Sequence, residues 1–537
     1  MVADLLFRHA RVVDGTGAAS RIADVAVAGD TIVEIADQVD AQARRVVDAS
    51  GLTLAPGFID IHTHSDFSLP VYPRAESMTS QGVTTQVVGN CGFSPFPVGQ
   101  DDGVALRTYS AFLDAGLPWG TWSSANEFLS LLEGLPLACN VATQVGHGSV
   151  RMAVMGFDTG PPSSAQLQAM RDLVADAMDA GTFGMSTGLT YAPASGAHVE
   201  ELIALAKVVS DYGGFYSTHV RSEATRLVEA IEEALLIGEQ ADLPVQLSHH
   251  KAIGEKNWDK IITTLGIVDR ALARGQDVSM DVYPYTAGST GLVVVLPRWA
   301  LEGGVEQMRS RLADPSLRAT IREQIWSQRI EDLEAGLREF TPDSVVIADV
   351  PPGPLKAYIG LTLTEIAQIR QEDPVDAALA LLEAGGGDVL TIVHGQSEDN
   401  IRRIMTHPAT MIASDGWTLS PRQEGRPHPR NYGTYARFLG RYVRDEGVLP
   451  LETAIRKVTS LPAARLGLAR RGTVREGHVA DLVLFDAARV IDCATFKDPH
   501  QFCEGVFMVV VNGQVVIDED GYTESAGGRV LRRGAEQ

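Results

Sequence analysis

The stretch LAPGFIDIHTHSD spans residues 54–66 and places two histidines, His62 and His64, directly after a short apolar run. In an extended strand, side chains two positions apart point to the same side. Both imidazoles would therefore face one point at the carboxyl end of the strand, a geometry that suits two ligands of one metal ion. Two unrelated surface histidines are the alternative. The buried-looking strand and the preceding Pro56-Gly57 turn favour the metal.

Length and composition bound the class of protein. The chain has 537 residues, 45% hydrophobic and 21% charged, as in globular proteins with two or three domains or one large barrel with attachments. Its net charge of −23 argues against a nucleic-acid partner and against an anionic membrane surface. The first residues do not resemble a signal peptide, and no apolar run reaches the about 18 residues of a membrane span. Four scattered cysteines favour a reducing cytoplasm over a disulfide framework. The sequence defines no oligomeric state.

Both ends of the chain are rich in short β-type runs. Residues 4–50 alternate such runs with turns, and residues 477–486 and 507–518 contain β-type runs of the same kind. Gly29-Asp30 and Asn512-Gly513 are typical hairpin turns. We therefore predict one small β-sandwich domain built from residues 1–55 and 470–537.

Residues 56–440 have a different pattern. Apolar strand-like runs alternate with amphipathic helical stretches, for example SSAQLQAMRDLVADAMDAG followed by TFGMSTGL. So many βα units favour an α/β fold with a closed (β/α)8 TIM-like barrel, whose chemistry collects where the strands end. The alternation of strand-like and helical stretches is interrupted at residues 286–350. We interpret this segment as an insertion that forms a cap or lid over the barrel mouth, with a long crossover helix pair as the alternative.

Ligand-type side chains follow several of the strand-like runs. They are His62, His64, Cys91, His147, His219, His249 or His250, His394 and Asp415. A barrel of this kind brings its strand ends together around one cavity. Several imidazoles with a thiolate and a carboxylate suit zinc. The set therefore predicts a zinc site, although any one member alone would more often be structural.

Longer motifs carry a family resemblance. PGFIDIHTHSD, STHVRSE, LSHHK and ASDG resemble the amidohydrolase superfamily of metal-dependent hydrolases. GNCGFSP, STGLTYAP, DVYPYTAGST and PHPRNYGTYARFLGRYV resemble the N-acyl-D-amino-acid deacylases, or D-aminoacylases. The resemblance covers nearly the whole chain. It implies zinc-dependent hydrolysis of the amide bond of a small-molecule N-acyl-D-amino acid, with a preference for D over L that rests on the family alone.

The residue expected to bridge the two metal ions supports the resemblance to the D-aminoacylases. Many amidohydrolases join two metals through a carboxylated lysine on a middle strand, but the first lysine here is Lys207, inside a helical stretch. In the D-aminoacylases a cysteine takes this place, and Cys91 in VVGNCGFSP matches it. A buried inert thiol is the alternative for Cys91, and the missing lysine favours the bridge.

The resemblance also implies one tight zinc position and a second, weaker one that shares the bridging thiolate. The tight ligands would be Cys91, His219 and His249, and the weaker ones His62, His64 and Asp415. His249 is preferred to His250 because relatives commonly read Ser-His-x-Lys there, and because adjacent strand residues point in opposite directions.

Roles in catalysis and substrate binding follow from the same resemblance. Asp415 would act as general base and then as general acid, although an Asp that forms a turn before Gly416 is the alternative. The candidates for binding the substrate are Arg426, Lys251, Tyr191, Tyr283 and Ser289. Arg221 and Glu223 are expected to pair with each other behind the metal. Gln396 stands where many relatives have Met, so the preferred side chain of the substrate stays open.

Other functions remain as alternatives. A cyclic-amide hydrolase, such as a hydantoinase or dihydroorotase, shares the fold and a similar metal site but is expected to use the bridging lysine. A noncatalytic scaffold of the same fold would lack ligands, whereas every expected ligand is present. A nucleobase-type deaminase would not explain Cys91.

Overall fold

The centre of the molecule is a closed barrel of parallel strands. The computed structural model describes residues 2–327 and 342–535. The barrel strands are Phe58–Asp60, Val83–Val88, Asn140–Thr143 with Val145–Gly146, Gly184–Gly188, Phe215–His219, Val245–Leu247, Val278–Val282 and Thr410–Ile412. Neighbours pair in parallel, and a parallel bridge between Thr63 and Gly416 joins the first strand to the last. Counting the interrupted third strand once gives eight, so the (β/α)8 prediction is confirmed.

Helices surround this barrel because their apolar stripes cover its outer face. Those outside the segment 287–394 are Glu76–Thr79, Val104–Tyr109, Ala125–Glu133, His147–Met155, Ser164–Asp179, Val199–Asp211, Leu227–Ala241, Lys260–Ala273, Glu398–Thr406, Arg430–Arg437, Leu451–Val458 and Ser460–Leu466, with a π-helical turn at Phe438–Asp445. Ser163 begins one of them with a capping box to Gln166. The barrel strands are buried along their length, as in parallel sheets covered on both faces.

Strands from both termini form one nine-stranded sheet. They are Ala3–Val12, Arg21–Ala28, Thr31–Ala36, Ala43–Asp48, Thr53–Pro56, Leu482–Phe485, Val506–Val511, Gln514–Asp518 and Gly521–Tyr522. The hairpins predicted at Gly29-Asp30 and Asn512-Gly513 are confirmed by antiparallel pairing. Leu482–Phe485 pairs with Thr53–Pro56, the strand that leads directly into the barrel. Apolar residues of both halves, including Phe7, Val25 and Leu482, pack into one core.

A large excursion separates the last two barrel strands, and we call its residues 287–394 the cap. Its antiparallel sheet contains Ala287–Gly291, Val345–Asp349 and Leu390–His394. Its helices are Arg298–Leu301, Val305–Ala313, Pro315–Ser327, Leu363–Arg370 and Pro374–Gly385, and it has its own apolar core. The sequence placed the insertion at 286–350, but Leu390–His394 pairs with Ala287–Gly291, so the excursion extends to His394. Residues 328–341 of the expected insertion lie outside the described residues.

Among the described helices, none combines the length and hydropathy needed to cross a bilayer.

Candidate metal centre and active site

Six ligand-type side chains meet at the carboxyl ends of five barrel strands. They are His62, His64, Cys91, His219, His249 and Asp415, and all are buried. We call them the metal cluster. Their donor atoms form two groups, each within 4.8 Å, that share the Cys91 sulfur. One group adds His219 and His249 to that sulfur, and the other adds His62, His64 and Asp415.

The spacing between donors fits a shared cation. Cys91 Sγ lies 3.3 Å from His62 Nε2 and 3.4 Å from His249 Nε2. A tetrahedral zinc with metal–ligand distances of about 2.3 Å to sulfur and 2.0–2.1 Å to nitrogen separates those two donors by about 3.5 Å. Asp415 Oδ1 lies 3.3 Å from His62 Nε2 and 3.2 Å from His64 Nε2. The donors are therefore close enough to share metal ions.

Unpartnered nitrogen atoms point to the same conclusion. Neither ring nitrogen of the buried His219 has a hydrogen-bond partner among the described residues, and His64 Nδ1 also has none. Leaving a buried polar group without a partner costs about 1–3 kcal/mol. A metal ion would use one His219 nitrogen as a ligand, so the residues present fit a metal.

The Cys91 thiol is suited to ionisation. Burial would raise the pKa of Cys91, but the neighbouring imidazoles of His62 and His249 bring it well below its usual value. The thiolate is the form that binds metals. The loop that carries it is tightly packed, because a Cβ on Gly188 would come within 2.1 Å of the Cys91 carbonyl oxygen.

Three ligands have left-handed backbone conformations. The φ angles are 52° at Cys91, 33° at His249 and 50° at Asp415. Non-glycine residues with positive φ cost about 1–3 kcal/mol and concentrate at functional sites. Asp tolerates this region better than most residues, so Asp415 has both the turn conformation and the position of a ligand.

The Asp281 carboxylate, which sequence reasoning did not single out, holds two of the histidines. Its Oδ1 accepts from the backbone N–H of His249 at 2.8 Å and lies 3.1 Å from His62 Nδ1. The carboxylate beside Nδ1 fixes the orientation of the His62 ring, with Nε2 facing Cys91. Asp281 lies inside barrel strand Val278–Val282 and was visible only as part of the DVYPYT motif.

Glu223 lies behind the metal cluster, as predicted from the sequence, but its partners differ from the prediction. Lys251 Nζ donates to Glu223 Oε1 at 2.5 Å, and that oxygen lies 3.0 Å from His249 Nδ1. The charge of Lys251 and the nearby imidazoles overcome the effect of burial and lower the pKa of Glu223. We expected Arg221 as the partner of Glu223, but the structure places the Arg221 guanidinium on Glu233 at 2.8 Å. Glu223 therefore links a metal ligand to Lys251.

Arg430 reaches the expected catalytic carboxylate. Its Nη1 donates to Asp415 Oδ2 at 2.7 Å, and its side chain is buried. Burial would raise the pKa of Asp415, but the charge of Arg430 and of the imidazoles brings it well below its ordinary value. Arg426, in the same EGRPHPR run, is the residue that the family resemblance predicts for substrate binding. Arg426 is exposed and packs against Gly360, because the loop turns it away from the cavity that Arg430 enters.

A cavity opens above the metal cluster, and we call it the main cavity. The substrate-binding candidates that line it are Lys251, Tyr191, Tyr283 and Ser289, together with Arg430 and Gln396. Tyr283 accepts from Gln396 Nε2 at 2.8 Å, and the Tyr191 hydroxyl lies 3.3 Å from Thr290 Oγ1. Ser289 Oγ donates to the Thr391 carbonyl at 2.9 Å.

The other three candidate histidines of the sequence analysis lie outside the metal cluster. The ring of His250 is hydrogen-bonded to Thr264 Oγ1 at 2.9 Å, and burial lowers its pKa to about 4. His394 belongs to the cap sheet rather than to a barrel strand, and its ring packs on Phe496. His147 pairs with Glu201 at 2.8 Å in a buried contact that also includes Arg151.

Comparison with known proteins identifies the family. A model of the amidohydrolase family matches residues 45–517. The chain belongs to the amidohydrolase family. The D-aminoacylase of Alcaligenes xylosoxydans xylosoxydans is 39% identical over 535 residues, which covers 99% of this chain and 98% of that protein. The N-acyl-D-aspartate deacylase of the same organism is also 39% identical, over 99% of this chain and 95% of its own length.

A solved structure of this amidohydrolase family agrees over the full length. The N-acyl-D-glutamate deacylase of Bordetella bronchiseptica, complexed with zinc and a phosphonate mimic of the tetrahedral intermediate, superimposes with a TM-score of 0.84. It is 33% identical, and the match covers 99% of this chain and 100% of that one. Within the family, the chain therefore groups with the D-aminoacylases, as its motifs indicated.

Proposed function

We propose that this chain hydrolyses the amide bond of N-acyl-D-amino acids with zinc, giving a carboxylate and a free D-amino acid. The observation that carries the proposal is a cavity in which a thiolate-containing metal cluster faces two buried cations, Lys251 and Arg430. The reaction and its D stereochemistry are supported by the relatives, which are named as deacylases of D-amino acids.

Zinc is the ion that we assign to the metal cluster. Imidazole, thiolate and carboxylate are its usual donors, and the solved relative from Bordetella bronchiseptica is a zinc complex. The tight position would use Cys91, His219 and His249, and the weaker one His62, His64 and Asp415, with Cys91 shared. Bound zinc supplies a Lewis acid that polarises an amide carbonyl and lowers the pKa of a water molecule.

Asp415 is the group that moves the proton in this proposal. Its lowered pKa keeps the carboxylate ionised and able to accept a proton from the attacking water. The protonated carboxyl then donates that proton to the nitrogen of the leaving amine, so the base of the first step becomes the acid of the second.

Arg430 and Lys251 would bind the α-carboxylate of the substrate. Both cations lie over the ring of Tyr283, Arg430 Cζ at 4.9 Å and Lys251 Nζ at 5.6 Å from its centroid. They therefore converge on one region beside the metal cluster. A guanidinium binds a carboxylate through two parallel hydrogen bonds, which would fix the orientation of the substrate.

The wall of the main cavity favours a neutral side chain on the substrate. The named relatives differ in their substrates, and one acts on an acidic amino acid. Apart from Lys251 and Arg430, the described lining residues include no lysine or arginine. The wall also has the apolar side chains Ile253 and Val393. A second carboxylate would be desolvated without a cation, which is costly. We therefore propose neutral D-amino acids as the preferred class.

A reducing cytoplasm is the compartment that we infer. Cys91 must remain a reduced thiolate to bind metal, and all four cysteines are free thiols.

The test is an assay of free-amine release from matched N-acetyl-D- and N-acetyl-L-leucine and from N-acetyl-D-glutamate, with ring opening of a hydantoin to the N-carbamoyl amino acid measured in parallel, all with zinc present. We expect release from N-acetyl-D-leucine, at least about 100-fold less from the acidic substrate, and none from the L isomer. Opening of the hydantoin without release from any D substrate would support the cyclic-amide alternative and refute the proposal.

A further inference from the structure

A second cavity adjoins the main cavity. The two share Phe93, Phe112, Thr190, Tyr191 and Val294. Beyond this shared wall the second cavity is lined mainly by apolar side chains, including Leu189, Val293, Leu296 and Leu301. We propose that this second cavity, the acyl pocket, binds a medium-chain acyl group, so that the enzyme accepts N-acyl substrates much longer than N-acetyl ones. The inference rests on the proposed function.

The cap strand Ala287–Gly291 lines the main cavity, and its neighbours show that the cavity has a cationic end and an aromatic end. At its second residue, a Cβ on Gly288 would lie 3.0 Å from the Tyr283 hydroxyl, next to the two cations. At its other end, a Cβ on Gly291 would lie 3.3 Å from the Phe112 ring. Because each strand residue advances about 3.4 Å, the cationic end and the aromatic end are separated by about 10 Å.

The covalent structure of the substrate then places the acyl chain. In an N-acyl amino acid the carbonyl carbon lies between the acyl chain and the nitrogen that carries the α-carbon. If Lys251 and Arg430 bind the α-carboxylate, and the carbonyl lies over the metal cluster, the acyl chain extends away from the cations. It therefore points towards the aromatic end, where the acyl pocket begins.

The residues shared by the two cavities form a wall that is largely aromatic and apolar. Phe93 stacks on Tyr109 with centroids 4.6 Å apart, and its ring also contacts Phe112 at 5.4 Å and Tyr191 at 4.9 Å. Aromatic rings offer large apolar surface to an alkyl chain. Two guanidiniums, those of Arg221 and Arg298, also line the pocket, and Arg221 is paired with Glu233 at 2.8 Å, so its charge is compensated. The other lining side chains are uncharged and favour an alkyl chain.

The test compares N-acetyl-, N-butanoyl- and N-octanoyl-D-alanine, in which the amino-acid side chain stays a methyl group. Each buried methylene is expected to raise kcat/KM up to about fourfold until the pocket is filled. For the wild-type protein we expect kcat/KM for N-octanoyl-D-alanine to exceed that for N-acetyl-D-alanine by at least about tenfold.

Val293→Phe is the matched variant, because Val293 lines the acyl pocket and not the main cavity. We expect it to remove the octanoyl advantage while changing kcat/KM for N-acetyl-D-alanine and N-acetyl-D-phenylalanine by less than about twofold. The N-acetyl substrate also reports whether the variant is folded. If Val293→Phe is unfolded, Leu301→Phe on the same pocket provides the same comparison.

Three results separate the possibilities. Rejection of N-octanoyl-D-alanine by a wild-type protein that hydrolyses N-acetyl-D-alanine would overturn the acyl pocket and leave the proposed function standing. Loss of N-acetyl-D-phenylalanine hydrolysis in the variants, with N-octanoyl-D-alanine unaffected, would assign the cavity to the amino-acid side chain and also overturn the inference. Release from no D substrate at all would refute the proposed function itself.

Discussion

Arg430 Nη1 and Asp415 Oδ2 are 2.7 Å apart and buried, so one of the two cations of the main cavity touches its expected base. The proposed carboxylate-binding group and the proposed proton carrier are therefore direct neighbours. Binding and chemistry must be tested separately at these two positions, because a change at one alters the surroundings of the other.

Replacing Arg430 should weaken substrate binding. Truncating one partner of a buried, hydrogen-bonded charge pair in a complex costs about 2–5 kcal/mol, so kcat/KM for N-acetyl-D-leucine should fall by about 30- to 5,000-fold in Arg430→Ala. Arg426→Ala is the matched control in the same run, and it should stay within about twofold because Arg426 is exposed. Steady-state kinetics of both variants decide the point. A larger loss in Arg426→Ala than in Arg430→Ala would restore the assignment made from sequence.

Asp415→Asn should abolish turnover without emptying the tight metal position. The amide cannot take the proton of the attacking water, and general base catalysis contributes typically about 10²–10⁴ in rate. Cys91, His219 and His249 are unchanged in this variant, so tightly bound zinc should remain. Metal analysis and kcat are measured on the same preparation. A variant with more than about a tenth of wild-type kcat would remove Asp415 from its role.

His428 should act as a positioning residue for Arg430. Its Nε2 donates to the Ala287 carbonyl at 2.9 Å, and its Nδ1 accepts from the Arg430 backbone N–H at 3.0 Å. Burial and the charge of Arg430 lower the pKa of His428 well below its usual value, which keeps it neutral for both contacts. His428→Phe should raise KM by about tenfold or more, with a smaller effect on kcat.

His428→Gln is the control for that prediction, because an amide can both donate and accept. It should recover most of the wild-type KM. Equal losses of kcat in the two variants, with KM unchanged, would indicate that His428 affects only packing.

The sequence predicted the barrel and the metal cluster because their signals are local. His62 and His64 lie in one short motif, and the other ligands each end or follow a strand-like run. Arg430 and Arg426 could not be distinguished, because Arg426 lies in a loop and Arg430 begins the helix Arg430–Arg437, so no shared periodicity assigns inward and outward positions. The cap was placed too short because strand Ala287–Gly291 pairs with a strand about a hundred residues later, which no local pattern encodes. Asp281 and Glu223 act through other residues, so their contacts appear only in three dimensions.

The most direct measurement of the central claim is zinc content and turnover of Cys91→Ala beside Cys139→Ala. Both thiols are buried, but Cys139 contacts Gln86 Nε2 at 3.0 Å, outside the metal cluster, and burial raises its pKa to about 12. The account predicts that Cys91→Ala loses tightly bound zinc and hydrolysis of N-acetyl-D-leucine together, while Cys139→Ala keeps both. A Cys91→Ala protein with wild-type zinc content and turnover would contradict it.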